Sequence, residues 1–322
     1  MQSQDFFLPI KKELHKTEKE LFKAIDTQQP MLKNASEHLI HAGGKRLRPA
    51  FVLLTGCCFT SQIDHLIPMA VAMELVHMAT LVHDDVIDNS LSRRGRDTVK
   101  ACFGNRMSIY SGDYMLAKAL QKVGEYNRAD LVTIVSEASV KVCQGEIVQL
   151  QSSFDVGQGF IEYLRRIERK TALLISVACQ MGALLVEASP LMTNAMRRYG
   201  YYLGMSFQIT DDILDFTADE SILGKPTGSD IRQGIITLPA LYALRKSPDA
   251  LRLRSILSSA DNVARDADEA LSIVIRSGGI EYSQQVAGKY ITKAHKMLDM
   301  IPESQGRKAL SQIADFICVR EY

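Results

Sequence analysis

The 322-residue chain has almost no net charge, with 38 lysines and arginines against 37 aspartates and glutamates. A balance of +1 argues against a protein built to coat nucleic acid or an anionic membrane, so any basic site must be a local cluster. Cysteine is sparse. Six residues, at 57, 58, 102, 143, 179 and 318, form none of the C-x-x-C pairs of a zinc or redox site. They read as reduced, mostly buried small hydrophobes of a cytoplasmic protein. A secretory signal is also lacking, because the apolar run of MQSQDFFLPIKKELHK precedes its charges. Long uninterrupted apolar runs are missing too. The stretch 66–83 is broken by Pro68, Glu74, His77 and His83, and 171–186 is short for a membrane span. Both are expected as buried helices, with no transmembrane segment. Strand alternation between hairpin turns is nearly absent, and no fixed-period repeat is found.

What remains is helical periodicity. It is clearest over 11–26, 31–42, 67–88, 110–123, 131–151, 161–187, 195–216, 238–246, 250–258 and 282–300, with 306–319 a further helix. Polar or glycine-containing breaks fall at 90–97, 152–159, 188–193 and 218–234, none long or biased enough for an interdomain linker. The expectation is an all-α fold and a single domain, 1–322. Two helices, around 69–83 and 201–214, are apolar nearly all round and belong in the interior.

Each of those two ends in carboxylates: Asp84-Asp85-Val86-Ile87-Asp88 and Asp211-Asp212-Ile213-Leu214-Asp215. In each cluster the first and last Asp share a helix face one turn apart, a like-charge spacing that costs about 0.2–0.5 kcal/mol even in water. They sit near helix C-termini, where the dipole is already negative, and beside apolar stripes that raise the desolvation cost. A chain that breaks local rules twice in the same way is holding cations there. One cluster alone reads equally well as a solvated acidic helix end; two copies closing buried helices do not. Oxygen-only ligands suit Mg²⁺, which takes one or two carboxylates and completes its shell with water and substrate phosphates.

Basic residues stand in matching company. Gly43-Gly44-Lys45-Arg46-Leu47-Arg48-Pro49 sets three cations after a flexible glycine pair beside a helix start, which favours an anion. Arg93 and Arg94 follow the first cluster by one short loop, Lys170-Thr171 opens an apolar helix, and Lys225 lies in a glycine-containing loop after the second cluster. His77, two turns before Asp84, and Gln208, three residues before Asp211, put polar groups on the carboxylate-bearing stripes. That pattern suits a lined cavity better than a dry core.

In order and spacing, GGKRLRP, LVHDDVIDNSLSRRG, RKTALL, FQITDDILDF and LGKPTGSD resemble the trans-type, head-to-tail isoprenyl diphosphate synthases, a match running from about residue 40 to about 240. The resemblance implies a helical bundle around a deep central cavity. It also implies Mg²⁺ held by Asp84, Asp88 and Asp211, with Asp85, Asp212 and Asp215 in support. Arg93, Lys170, Thr171, Gln208 and Lys225 would contact the allylic diphosphate or its metals; Lys45, Arg48, His77 and Arg94 would hold isopentenyl diphosphate. One departure is visible. The family often has a basic residue in its Gly-x-x-Thr-Leu-Pro segment, where this chain has Ile235.

Within the family the growing product runs down the helix carrying Asp84, past Thr80, Ala79 and Val76. A Tyr or Phe near the Ala79 position resembles a floor that stops growth; here none of the three is aromatic, which implies a product of roughly six to eight isoprene units. The chain is most similar to the large catalytic subunits of two-component hexaprenyl or heptaprenyl diphosphate synthases, which serve menaquinone side-chain synthesis. A dimer, with a small regulatory subunit as one form of partner, follows from that similarity. The competing expectations are a geranylgeranyl or farnesyl diphosphate synthase and a non-catalytic prenyl-diphosphate-binding subunit; the second would have lost carboxylates that are complete here.

Overall fold

The computed structural model describes residues 6–93, 95–218 and 227–318, and among them nearly everything is helical. The helices are α1 (Lys11–Ala24), α2 (Pro30–His41), α3 (Leu47–Cys57), α4 (Ile67–Ile87), α5 (Val99–Gly124), α6 (Ala129–Gln151) and α7 (Phe160–Ile167). They continue as α8 (Leu173–Leu185), α9 (Pro190–Thr217), the single turn α10 (Ser229–Arg232), α11 (Leu238–Lys246) and α12 (Ala250–Leu257). The last three are α13 (Ala260–Arg276), α14 (Gly279–Leu298) and α15 (Gln305–Cys318). The described strands are a two-residue antiparallel pair, β1 (Ser92–Arg93) and β2 (Arg96–Asp97), in the loop after the first carboxylate cluster.

Local chemistry sets the ends. Proline at the first turn opens α2, α4 and α11, where its missing N–H leaves no helical bond unmade. Thr98 caps α5 by accepting the Ala101 amide at 3.1 Å, and Ser259 caps α13 from Asn262 at 3.3 Å.

Three helical features differ from the expected pattern. Helix α3 supplies the helix start expected beside the glycine–basic motif, although its extent, Leu47–Cys57, is not among the periodic stretches; Pro49 sits in its first turn, where proline is tolerated. Helix α13 was missed as well, its periodicity interrupted where Asp266 leaves helical values (φ −123, ψ 20). The stretch 161–187 is not one helix: a π-helical turn, Glu168–Ala172, separates α7 from α8.

The chain divides into two compact units. One holds the described residues up to Ser139 with Leu174–Arg197 and Leu298–Gln312; the other holds Val140–Leu173, Arg198–Met297 and the residues from Ile313 on. All five points of division fall inside helices. In the first unit, α4 packs against α1, α3 and α5, and its core includes Phe51, Leu53, Leu54, Met69, Met73 and Met115. The helical stretch Asp64–Ile87 is long and apolar enough to cross a bilayer, but 72% of its apolar window is buried inside the protein. The core of the second unit gathers Tyr163, Ile167, Met205, Ile209, Ile213 and Phe216 with residues of α11–α14.

Cysteine placement is less uniform than expected. Cys58 and Cys179 are buried, but Cys102 and Cys143 are exposed and Cys57 is half-buried. The difference is helix phase: apolar neighbours in sequence do not bury a residue on the outward face.

Candidate active site

Each carboxylate cluster is described within its own unit. In the first, α4 ends at Ile87, so Asp84 and Asp85 lie in its last turn and Asp88 is the C-cap. Asp85 is 1% exposed, Asp84 half-buried and Asp88 exposed. Arg93 reaches back from β1, its Nε and Nη2 both 2.8 Å from Asp85 Oδ1. Burial pushes the Asp85 carboxyl above its usual range, against the pull of Arg93. Its other oxygen, Oδ2, is buried with no hydrogen-bond partner among the described residues. His77 is half-buried on α4, and Thr80 Oγ1 turns back to donate to the His77 carbonyl at 2.7 Å. Val76 and Ala79 are 1% and 3% exposed.

The glycine–basic motif runs into α3: Arg46 is the N-cap, and Arg48 and Pro49 lie in the first turn. Gly43 and Arg46 both have positive φ, +76 and +46. For arginine that conformation is strained and must be held by its surroundings. The Arg46 side chain supplies the hold. It forks onto Glu18 with two 2.8 Å bonds, reaches Glu74 at 3.1 Å and donates to the Ile40 carbonyl at 3.1 Å. Of the three cations in the motif, Arg46 is therefore an internal anchor, and the bend it fixes carries Lys45 and Arg48 on either side.

In the second unit, Asp211, Asp212 and Asp215 occupy the last two turns of α9. Asp212 is 4% exposed and saturated on both oxygens: Tyr163 donates its hydroxyl to Oδ2 at 2.7 Å and Gln208 donates Nε2 to Oδ1 at 2.8 Å. Gln208 in turn accepts a short hydrogen bond from the Thr171 hydroxyl. Burial raises the Asp212 carboxyl to about 6, even with these donors pulling it down. Asp215 is buried and accepts the Asp230 amide at 3.0 Å, while its carbonyl accepts the Gly228 amide at 2.7 Å. Lys170 and Thr171 stand on the π-helical turn, a feature frequent at functional sites. Lys170 Nζ donates to Gln149 Oε1 at 3.1 Å and lies 3.6 Å from Glu146.

Asp85, with Arg93, falls in one unit and Asp212, with Gln208 and Thr171, in the other. Arg94 and Lys225 lie outside the described residues. Sequence reasoning missed Tyr163, Arg166, Glu146 and Gln149, which sit on α6 and α7 outside any motif.

The donor set suits a hard cation. Among the described residues no three His, Cys, Asp or Glu side chains gather as a ready-made protein shell. What the clusters offer is carboxylate oxygen in ones and twos, as Mg²⁺ bound with a phosphate uses.

A family model described as polyprenyl synthetase matches residues 29–274. This chain belongs to the polyprenyl synthetase family. It is therefore a prenyltransferase with an all-α isoprenoid synthase fold. Among its relatives, heptaprenyl diphosphate synthase component 2 of Bacillus subtilis is 43% identical over 305 residues, covering 95% of this chain and 87% of the relative. The crystal structure of heptaprenyl diphosphate synthase from Staphylococcus aureus superposes with a TM-score of 0.91 at 39% identity, covering 96% and 98% of the two chains. A polyprenyl synthase from Caulobacter crescentus, complexed with calcium and isoprenyl diphosphate, gives 0.93 at 32% identity over 98% and 97%. The similarity extends past residue 240, where the sequence offers no recognisable motif.

Proposed function

We propose that this prenyltransferase is the catalytic component of a heptaprenyl diphosphate synthase, condensing isopentenyl diphosphate head to tail onto an allylic diphosphate such as farnesyl diphosphate. The observation that carries the reading is the pair of complete aspartate clusters in a chain 43% identical to a heptaprenyl diphosphate synthase component 2. The words "component 2" in the name of that relative also support an assembly with a second subunit, for which a small regulatory one is proposed. A cytoplasmic enzyme acting as one 1–322 domain, serving menaquinone side-chain synthesis and handing its product to a membrane, completes the proposal.

Asp84, Asp88 and Asp211 would hold Mg²⁺, with Asp85, Asp212 and Asp215 in support; that the Caulobacter relative is complexed with calcium and isoprenyl diphosphate supports a divalent cation alongside a prenyl diphosphate. When bound, Mg²⁺ supplies Lewis-acid stabilisation of the departing diphosphate. Lys170, Lys225 and Arg93 would add fixed positive charge for the leaving group, with Thr171 and Gln208 orienting it. Lys45, Arg48, His77 and Arg94 would position isopentenyl diphosphate. Its double bond attacks the allylic carbon as the C–O bond to diphosphate breaks. A proton then leaves the new cation, and the departed diphosphate is its acceptor. Apolar side chains around the reacting carbons exclude the water that would quench the cation. Val76, Ala79 and Thr80 would line the path of the growing chain. The test is to measure incorporation of labelled isopentenyl diphosphate with and without Mg²⁺; incorporation that ignores chelation would sink the metal assignment. A synthase stopping at geranylgeranyl or farnesyl length, and a non-catalytic prenyl-diphosphate-binding subunit, are the less favoured readings.

A further inference from the structure

Ile235 leaves the Gly-x-x-Thr-Leu-Pro segment without a cation, and a buried arginine that no motif contains touches the same segment. Arg166, on α7, is 4% exposed. Its Nη2 donates to the Ile236 carbonyl at 2.7 Å and its Nη1 to Gln158 Oε1 at 3.2 Å, while its guanidinium carbon lies 5.5 Å from the centre of the Tyr163 ring. A cation buried to that degree is retained at a considerable desolvation cost, which calls for a nearby negative charge or a function. The charge it meets is Asp212, reached through Tyr163, whose hydroxyl is 2.7 Å from Asp212 Oδ2. The same segment is tied to the cluster by its backbone: Ile235 donates to the Asp230 carbonyl at 2.8 Å, and the Asp230 amide donates to Asp215 at 3.0 Å.

We infer that Arg166 and Tyr163 are positioning residues for the second carboxylate cluster, and that Arg166 supplies from α7 the positive charge this segment lacks at Ile235. Arg166 clamps the Ile236 carbonyl and stacks on Tyr163, and Tyr163 holds one Asp212 oxygen while Gln208 holds the other. Asp212 is thereby fixed as a buttress for its neighbour Asp211. The arrangement follows the general behaviour of groups that orient metal ligands, whose loss weakens metal binding or activity by about 10–100-fold.

The inference rests on the reading of Asp211–Asp215 as a metal–diphosphate site, and the experiment separates the two. Mn²⁺ binding in the presence of inorganic diphosphate is followed by electron paramagnetic resonance for the wild type, Arg166→Met, Tyr163→Phe and Arg166→Met/Ile235→Lys, with thermal melting of each. The expected result is affinity weakened about tenfold in both single variants. The double variant should regain part of that affinity without regaining melting temperature. If Arg166→Met does not fold, Tyr163→Phe, which differs by one hydroxyl, decides by the same titration. Variants that bind Mn²⁺ as the wild type does, whatever their melting temperature, would overturn the inference alone. A wild type that binds no Mn²⁺ with diphosphate would overturn the reading of the site and the inference with it. Absence of recovery in the double variant would overturn the replacement of charge at Ile235.

Discussion

At the residue scale, the charged groups of the motifs divide into those facing outward and those consumed internally. Arg46 belongs to the second kind. Replacing it with methionine leaves Glu74, 4% exposed, without its cation, and breaking a buried pair in this way costs about 3–5 kcal/mol. A large drop in melting temperature is expected for Arg46→Met. Lysine should recover little of it, since it cannot reproduce the forked contact with Glu18. Asp212 gives a pH prediction. Its folded-state value, near 6, lies above the ordinary 3.8, so the folded state takes up the proton more readily than the unfolded one. The resulting stabilisation is complete below about pH 4 and lost as pH rises through about 6. In chelator, metal-free protein should therefore gain melting temperature as pH falls from about 7 to about 5, and Asp212→Asn should flatten that window. Thiol chemistry separates similarly: Cys58 and Cys179 are buried, with pKa values pushed up to about 12 by desolvation, while Cys102 and Cys143 are exposed. Mass spectrometry after brief alkylation should find label on Cys102 and Cys143 and none on Cys58 or Cys179.

At the scale of elements, the π-helical turn and α9 meet at a glycine. A Cβ on Gly204 would lie 2.5 Å from Ala172 Cα, so only glycine lets α9 approach the turn that carries Lys170 and Thr171. Gly204→Ala should separate them, lengthen the Thr171–Gln208 hydrogen bond and destabilise the fold by about 1–3 kcal/mol. The expected kinetic signature is a raised KM for the allylic diphosphate; an unchanged KM would contradict the role given to this contact. These elements also show what was legible in advance. α4 and α9 could be read because a helix apolar all round belongs in the interior, and aspartates at the end of such a helix need a cation to offset their desolvation. The two bends at Arg46 and at 168–172 could not, because a left-handed arginine has no sequence signature and the phase shift of one extra residue has no polar face to mark it in the apolar helix that follows. Tyr163 and Arg166 were invisible for another reason. On an amphipathic helix, an inward arginine looks like a solvated one until its partners are seen.

At the scale of the whole molecule, the all-α class followed from missing strand signals together with helical periodicity, and the family from five short motifs. The division into two units, which falls inside helices instead of at linkers, left no trace in composition. Product length is the property most dependent on the whole chain. Val76 and Ala79 are buried on α4, and Thr80 is half-buried beside them. Ala79→Tyr should shorten the main product, as read by reversed-phase sizing of the dephosphorylated alcohols; an unchanged length would place the limit on another helix.

The central claim is tested most directly by incubating the protein with farnesyl diphosphate, labelled isopentenyl diphosphate and Mg²⁺, alone and with a small partner subunit, and sizing the products. The account predicts incorporation abolished by chelation, with a product of roughly six to eight isoprene units centred on seven. No metal-dependent incorporation under either condition, or a product that stops at geranylgeranyl length, would contradict it.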